Sequence, residues 1–184
     1  GKLINQDYVR LLLPEYAQNP SAYIDETQKP SADFTQKLID EAIAKPTLGD
    51  ATFVMGGPGV GKTEAAQKTL EGVYQASDFI VDGVGANENQ MIKNIDKALA
   101  TERHVNVVFV FSPADRAIAN IIKRYTESGR PVPPEVAARG HVKSLETFLK
   151  VAEKYGTDDR VYVQAVEPDE QFRPVKRGVE EIQK

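Results

Sequence analysis

Residues 56–63 read Gly56-Gly57-Pro58-Gly59-Val60-Gly61-Lys62-Thr63, which satisfies the phosphate-loop pattern Gly-x-x-x-x-Gly-Lys-Thr. Each residue type has a mechanical job. Glycines free the backbone to turn successive amide N–H groups inward, where they meet phosphate oxygens. A helix beginning at Thr63 adds the positive end of its dipole. The Lys62 ammonium reaches β- and γ-phosphate oxygens, and the Thr63 hydroxyl is a hard oxygen donor for Mg²⁺. Pro58, Val60 and Glu64 complete the stretch expected to line a bound nucleoside triphosphate, ATP or GTP. The context agrees: apolar residues 51–55 read as a short buried strand before the loop, and residues 63–74 as a helical run after it.

Outward from the loop, the apolar runs 78–81, 105–111 and 161–166 read as further strands. The run 105–111 is apolar apart from Asn106, as in a central parallel strand covered on both faces. Between the strands, Met91, Ile92, Ile95, Ala98 and Leu99 form a helical stripe. Ser112-Pro113 opens another helix to about Tyr125, and a last one spans 142–155. Upstream, Phe34, Leu38, Ile39, Ala42 and Ile43 mark a helix from residue 31, while 19–30 has the Pro, Ser, Asp and Gln content of a loop and 4–13 makes a short helix. The expected organisation is an arm and linker over 1–30 and a P-loop kinase-like domain over 31–184. Its fold is α/β of the P-loop NTPase type: doubly wound, a mainly parallel sheet with helices on both faces, and a helical lid.

Composition narrows the chemistry. The 184 residues suffice for one buried α/β core, and no apolar run approaches the roughly 20 residues of a membrane span. No membrane partner is expected. With no cysteine, disulfide and thiolate chemistry are excluded. Action is expected in the cytoplasm, of the producing cell or of a host or recipient cell after delivery. A net charge of −4 disfavours nucleic acid as a ligand and suits a small anionic substrate. Because it begins at Gly1 rather than Met, the chain is read as part of a longer polypeptide or as trimmed of a tag.

Asp82 closes the strand 78–81 at the sheet edge where ligands bind in open α/β folds. A carboxylate there either orders Mg²⁺ or accepts the proton of an attacking hydroxyl. Arg116, Arg124, Arg130 and Arg139, with Lys123 and Lys143, follow the central strand. Arginines on two helices joined by the rigid turn Gly129-Arg130-Pro131-Val132-Pro133-Pro134 suit a lid that closes on a γ-phosphate. His104 reads as a surface residue, Tyr125 and Tyr155 as core aromatics, and His141 stands beside the lid.

These motifs together resemble the zeta-toxin family of P-loop kinases. The resemblance runs through Tyr8-Val9-Arg10, Leu13-Pro14-Glu15-Tyr16, the loop with its strand, Ile80-Val81-Asp82-Gly83, Val108 to Pro113, Arg124, Gly129 to Pro133, and His141 with Ser144. It implies ATP and Mg²⁺ at Lys62 and Thr63, Asp82 as base, Arg124 with Arg130 or Arg139 on the γ-phosphate, and His141 as a lid or site residue. It also implies a hydroxyl of a UDP-activated amino sugar as acceptor and an inhibitory antitoxin as partner. One departure stands out: about fifteen residues separate Thr63 from Phe79, so the family's substrate-binding portion there is shortened. The expectation is an ATP-dependent phosphotransferase acting on a small anionic metabolite. The rivals are a nucleotide-binding regulatory or effector module without an acceptor, and a kinase of nucleic-acid ends, which the acidic balance disfavours.

Overall fold

Six residues, Val105–Val110, are buried without exception, as in a strand in the middle of the sheet, and the one polar residue among them, Asn106, donates to Asp50. The computed structural model describes residues 3–47, 49–65, 71–168 and 174–177. In chain order the elements are β1 (Leu3–Asn5), α1 (Gln6–Arg10), α2 (Pro14–Gln18), α3 (Pro20–Ala44) and β2 (Asp50–Met55). The loop and α4 (Lys62–Glu64), α5 (Glu71–Ala76), β3 (Ser77–Asp82) and α6 (Glu88–Leu99) follow. Then come β4 (Val105–Val110), α7 (Ala114–Ser128), α8 (Pro134–Tyr155), β5 (Val161–Pro168) and β6 (Pro174–Arg177).

The sheet order is β1-β3-β2-β4-β5-β6. The first five strands in that order pair in parallel, and β6 closes the edge antiparallel to β5. This is the doubly wound P-loop NTPase-type fold. After β2 the chain goes to one side, to β3, and then crosses to the other, to β4, so the loop leaving β2 sits at the switch point where such sheets bind ligands. One apolar cluster gathers Ile39, Phe53, Phe79, Ile95, Phe109 and Phe148, with the Phe109 and Phe148 rings stacked at 4.8 Å. A second, around Val54, Val60, Ile80 and Val108, lies under the loop.

The N-terminal stretch differs from its expected form. The stretch 19–30 is not a loop: residues 20–30 are the first part of α3, and the boundary expected at residue 31 falls inside that helix. Asn19 caps it by accepting a hydrogen bond from the Ala22 amide, and Pro20 occupies the first turn, where its missing N–H costs nothing. Thr27, Ser31, Thr35, Ile39, Ala42 and Ile43 then make one buried stripe. Its first half is polar, so neither composition nor apolar spacing marks it. α1 and α2 pack on α3, and β1 extends the sheet beyond β3. Residues 174–177 of the expected polar tail pair as β6. The middle of the helix expected at 63–74, residues 66–70, lies outside the described residues. Among the described residues no helix is long and apolar enough to cross a membrane.

Candidate active site

The backbone of the loop leaves the ordinary region at the glycines: φ is +150° at Gly56, +80° at Gly59 and +84° at Gly61. Space is equally restrictive. A Cβ at Gly56 would stand 2.1 Å from the Val110 carbonyl oxygen, and one at Gly59 would stand 2.3 Å from that of Ala117. The loop is therefore pressed against the end of β4 and against α7, and the Asn120 amide of α7 donates to the Gly59 carbonyl at 2.8 Å. From the other side, α8 brings Gly140 against Pro58 and lays the His141 ring on Gly57. His141 Nε2 lies 3.0 Å from the Pro58 carbonyl oxygen, which makes Nε2 the protonated nitrogen. Burial, aided by Lys62, depresses the His141 pKa against that hydrogen bond, so the ring is a neutral donor. The expected lid is thus the pair of helices α7 and α8, resting on the loop.

A test of this packing is Gly57→Ala, whose methyl would lie 2.3 Å from His141 Nδ1. Expelling the ring is expected to weaken nucleotide affinity about tenfold. Calorimetric titration should show the loss partly restored in the double variant with His141→Ala, where the space is vacated.

Lys62 donates to the carbonyl oxygens of Gly56 at 2.9 Å and Gly57 at 3.0 Å, folding back over the loop it terminates. Thr63 Oγ1 donates to Asp82 Oδ2 at 3.1 Å. Asp82 lies opposite Val54 of β2 and Asn5 of β1, at the carboxyl ends of three adjacent strands. Asn5 is a residue that sequence reasoning missed. Its Nδ2 donates to Asp82 Oδ2 at 2.8 Å, while its Oδ1 accepts the Asp7 amide at 2.7 Å and so caps α1. The carboxylate is consequently held by one oxygen, with Asp82 Oδ1 buried and without a hydrogen-bond partner among the described residues. Burial pushes the Asp82 carboxyl above the usual range; the Lys62 charge and the donors Asn5 and Thr63 oppose this, and Asp7 adds to it.

Arg124 and Arg130 converge on Asp7 of α1: Arg130 forms a close ion pair with its carboxylate, and Arg124 approaches within 4.0 Å. Burial, then repulsion from Arg130, lowers the Arg124 pKa; Asp7, Tyr16 and Asp82 are within its electrostatic reach and oppose that. Ser21 of α3 adds a 2.6 Å hydrogen bond to the Gly129 carbonyl, tying the lid turn to the N-terminal helices. Arg139 is exposed on α8. The remaining expected cations are elsewhere: Arg116 donates to the Pro168 carbonyl at 2.5 Å, Lys123 pairs with Glu127 and Lys143 with Glu146. Tyr125 is not core but 55% exposed, because α7 buries only Ala117 fully. Tyr155 is buried, as expected. The Glu64 side chain lies outside the described residues. Asn120 and Asp7 carry no motif; only a first-turn acid after an Asn cap marks Asp7.

The zeta-toxin family model matches residues 71–174, more than half of the 184. The chain belongs to the zeta-toxin family. The matched stretch begins after the phosphate loop, so the family assignment and the loop geometry are independent observations. Two solved structures similar to this zeta-toxin chain are the native AvrRxo1-ORF1:-ORF2 complex and AvrRxo1-ORF1:-ORF2 with ATP. They align with TM-scores of 0.56 and 0.57 and identities of 15% and 14%. At such identities the likeness shows the fold. Each alignment covers 77% of this chain and 64% of the other, so the chain spans just under two thirds of their length. No curated protein matches it.

Proposed function

We propose that this zeta-toxin-family chain is an ATP-dependent phosphotransferase that moves the γ-phosphoryl group to a hydroxyl of a small anionic metabolite, such as a UDP-amino sugar. The observation that carries the reading is the junction of Lys62, Thr63 and Asp82, with a buried Asp82 Oδ1 that no donor holds among the described residues. Residues Gly56, Gly57, Pro58, Gly59, Val60, Gly61, Lys62, Thr63 and Glu64 bind the nucleotide. The solved neighbour with ATP supports that choice of nucleotide.

The Thr63 hydroxyl fits Mg²⁺ as a hard oxygen at the loop-to-helix junction, and Asp82 Oδ2 beside it would order water on the ion, which leaves Oδ1 for the acceptor's proton; that ion takes few protein ligands beside phosphate and water. When bound, it neutralises charge on the β- and γ-phosphates. Asp82 accepts the proton of the acceptor hydroxyl as the new O–P bond forms and the β–γ bridging bond breaks, releasing ADP. Arg124 and Arg130, delivered by the lid, leave Asp7 for the γ-phosphoryl oxygens, with Arg139 at the rim and His141 holding the loop. Residues 31–184 carry the kinase-like domain, and the preceding segment reaches into its site through Asn5 and Asp7. The reaction is cytoplasmic, in the producing cell or in one to which the protein is delivered. An inhibitory partner belongs to the same reading, supported by neighbours solved as two-protein complexes.

Phosphorus-31 NMR with Mg²⁺-ATP and a panel of nucleotide sugars, nucleosides and small metabolites tests this. A new phosphomonoester, absent with Lys62→Ala, is expected; binding of ATP without any phosphorylated acceptor would replace the kinase with a nucleotide-sensing module. Arg124→Ala or Arg130→Ala is expected to lower kcat by roughly 10² or more while leaving ATP affinity within a few fold. Unchanged turnover in both variants would remove the lid arginines from the chemistry.

A further inference from the structure

The stretch between loop and β3, where the family's acceptor contacts are expected, is short, yet another segment already faces the site: residues 5–16. Arg10, at the end of α1, is 5% exposed. Its Nε donates to Ser31 Oγ at 3.3 Å, its Nη2 is buried with no partner, and no ion pair to it occurs among the described residues. The guanidinium lies over the Tyr16 ring, 5.5 Å from its centre. Tyr16 is 0% exposed, and its hydroxyl too is buried and without a partner among the described residues.

Buried polar atoms are nearly always satisfied, and a buried cation without a counter-charge is costly enough to call for an anion. Arg10 is three residues from Asp7, hence on the same face of α1, and Asp7 holds the lid arginines. Tyr16 is within electrostatic reach of Arg124, as is Asp82. Around Arg124 stand Arg130, Tyr16 and the two carboxylates Asp7 and Asp82, with Lys62 acting on Asp82 and Arg10 lying over the Tyr16 ring. Lys62 and the lid arginines suit the γ-phosphate. Arg10 and Tyr16 stand off the loop, on the arm.

We propose that Arg10 and Tyr16 form the subsite for a phosphate group of the acceptor, which holds the acceptor's hydroxyl toward Asp82 Oδ1. This rests on the kinase reading for its role, though not for the binding itself. It places the phosphate of that acceptor on an N-terminal segment in place of the shortened stretch after the loop.

The experiment uses the full chain labelled at its arginine side chains with ¹⁵N, in a Lys62→Ala background that removes the lysine of the nucleotide site. Inorganic phosphate is titrated, with sodium chloride at matched ionic strength and sodium acetate as controls. The Arg10 Nε signal, assigned through Arg10→Met, is expected to shift saturably with phosphate and less with acetate. Tyr16→Phe, which keeps the ring, is expected to weaken the phosphate dissociation constant roughly tenfold. An Arg10 signal that phosphate does not move would overturn the proposal. So would a Tyr16→Phe variant that binds phosphate as before and melts higher, the outcome of a hydroxyl that is merely unsatisfied. Titration of the unsubstituted chain with Mg²⁺-ATP separates the two readings: if ATP fails to bind while Arg10 still takes phosphate, the kinase reading fails and the subsite stands.

Discussion

Asp82→Asn is expected to abolish phosphoryl transfer and, at the same time, to make the nucleotide-free protein harder to melt. The activity loss follows from geometry. Asp82 Oδ2 is engaged by Asn5 and Thr63, so Oδ1 is the atom left to take a proton, and an amide nitrogen there cannot. Loss of a positioned base costs about 10²–10⁴ in rate, while ATP affinity should change little, as expected when only the transition state is affected. The stability gain follows from burial. At 3% exposure the carboxylate is disfavoured in its charged form, and its pKa stands above the unfolded value despite Lys62 and its two donors. The folded protein then holds that proton more tightly than the unfolded chain does. The associated stability is present below the unfolded pKa, is lost as pH rises through the folded pKa, and leaves a net cost at neutral pH. Asparagine removes that cost. Melting without Mg²⁺ or nucleotide should therefore place Asp82→Asn above the parent at about pH 7, the two converging toward about pH 3. Full activity in the variant would dismiss Asp82 as base; a lower melting point at pH 7 would show the carboxylate to be a net stabiliser.

The parts of this site that were legible in the sequence are those whose signal is local. Gly56 to Thr63 announces itself because each residue type in it answers a backbone or ligand need within eight positions, and Asp82 because it ends an apolar run at the ligand edge. The strands 51–55, 105–111 and 161–166 were legible for a similar reason: each is an apolar run interrupted by few polar residues, Thr52, Asn106 and Gln164, as parallel strands in the middle of a sheet are. The N-terminal segment was not. α3 buries Thr27, Ser31 and Thr35 against α1 and α2, so a real helix face carries the composition of a loop. Asn5 acts through a register, opposite Asp82 across parallel strands 77 residues apart in the chain, which no spacing rule anticipates. The arginines divide likewise. Arg124 and Arg130 reach one carboxylate because the turn between α7 and α8 folds back on α1, whereas Arg116 lies on the same helix and points to the end of β5.

Arg103→Met is expected to be the most destabilising single substitution in the chain, although Arg103 touches nothing in the site. It is 1% exposed, and its guanidinium is shared among the connections that lead into β2. Nη1 donates to the Thr47 carbonyl at 2.6 Å, the Gly49 carbonyl at 3.2 Å and Asp78 Oδ2 at 2.7 Å. Nη2 donates to the Lys45 carbonyl at 2.6 Å and Thr47 Oγ1 at 3.1 Å, and reaches the last carbonyls of α3 at Ile43 and Ala42. Its face lies 5.9 Å from the centre of the Phe79 ring. The Ala42 and Ile43 carbonyls belong to the last turn of α3, and the Lys45 carbonyl keeps the Thr47 amide as a second donor. An apolar side chain of similar length removes the guanidinium from all of these carbonyls and leaves Asp78 with the Gly49 amide and Thr47 but no counter-charge. Removing one partner of such an arrangement costs about 3–5 kcal/mol, and in a chain of this size that lowers the melting midpoint by roughly 10 °C. Asp78 supplies the internal check. Burial raises its pKa, but hydrogen bonds from Thr47 and the Gly49 amide, and then Arg103, outweigh burial and hold the carboxyl below its ordinary range. Its contribution is present above the unfolded pKa and lost as pH falls through the folded one. Loss of Arg103 should therefore cost most near neutrality, and the difference between variant and parent should narrow in acid. A double-mutant cycle with Asp78→Ala separates the carboxylate from the carbonyls: coupling below about 1 kcal/mol with the full loss retained in Arg103→Met would place the stability in the carbonyls at the end of α3, and so in the strand that carries the phosphate loop.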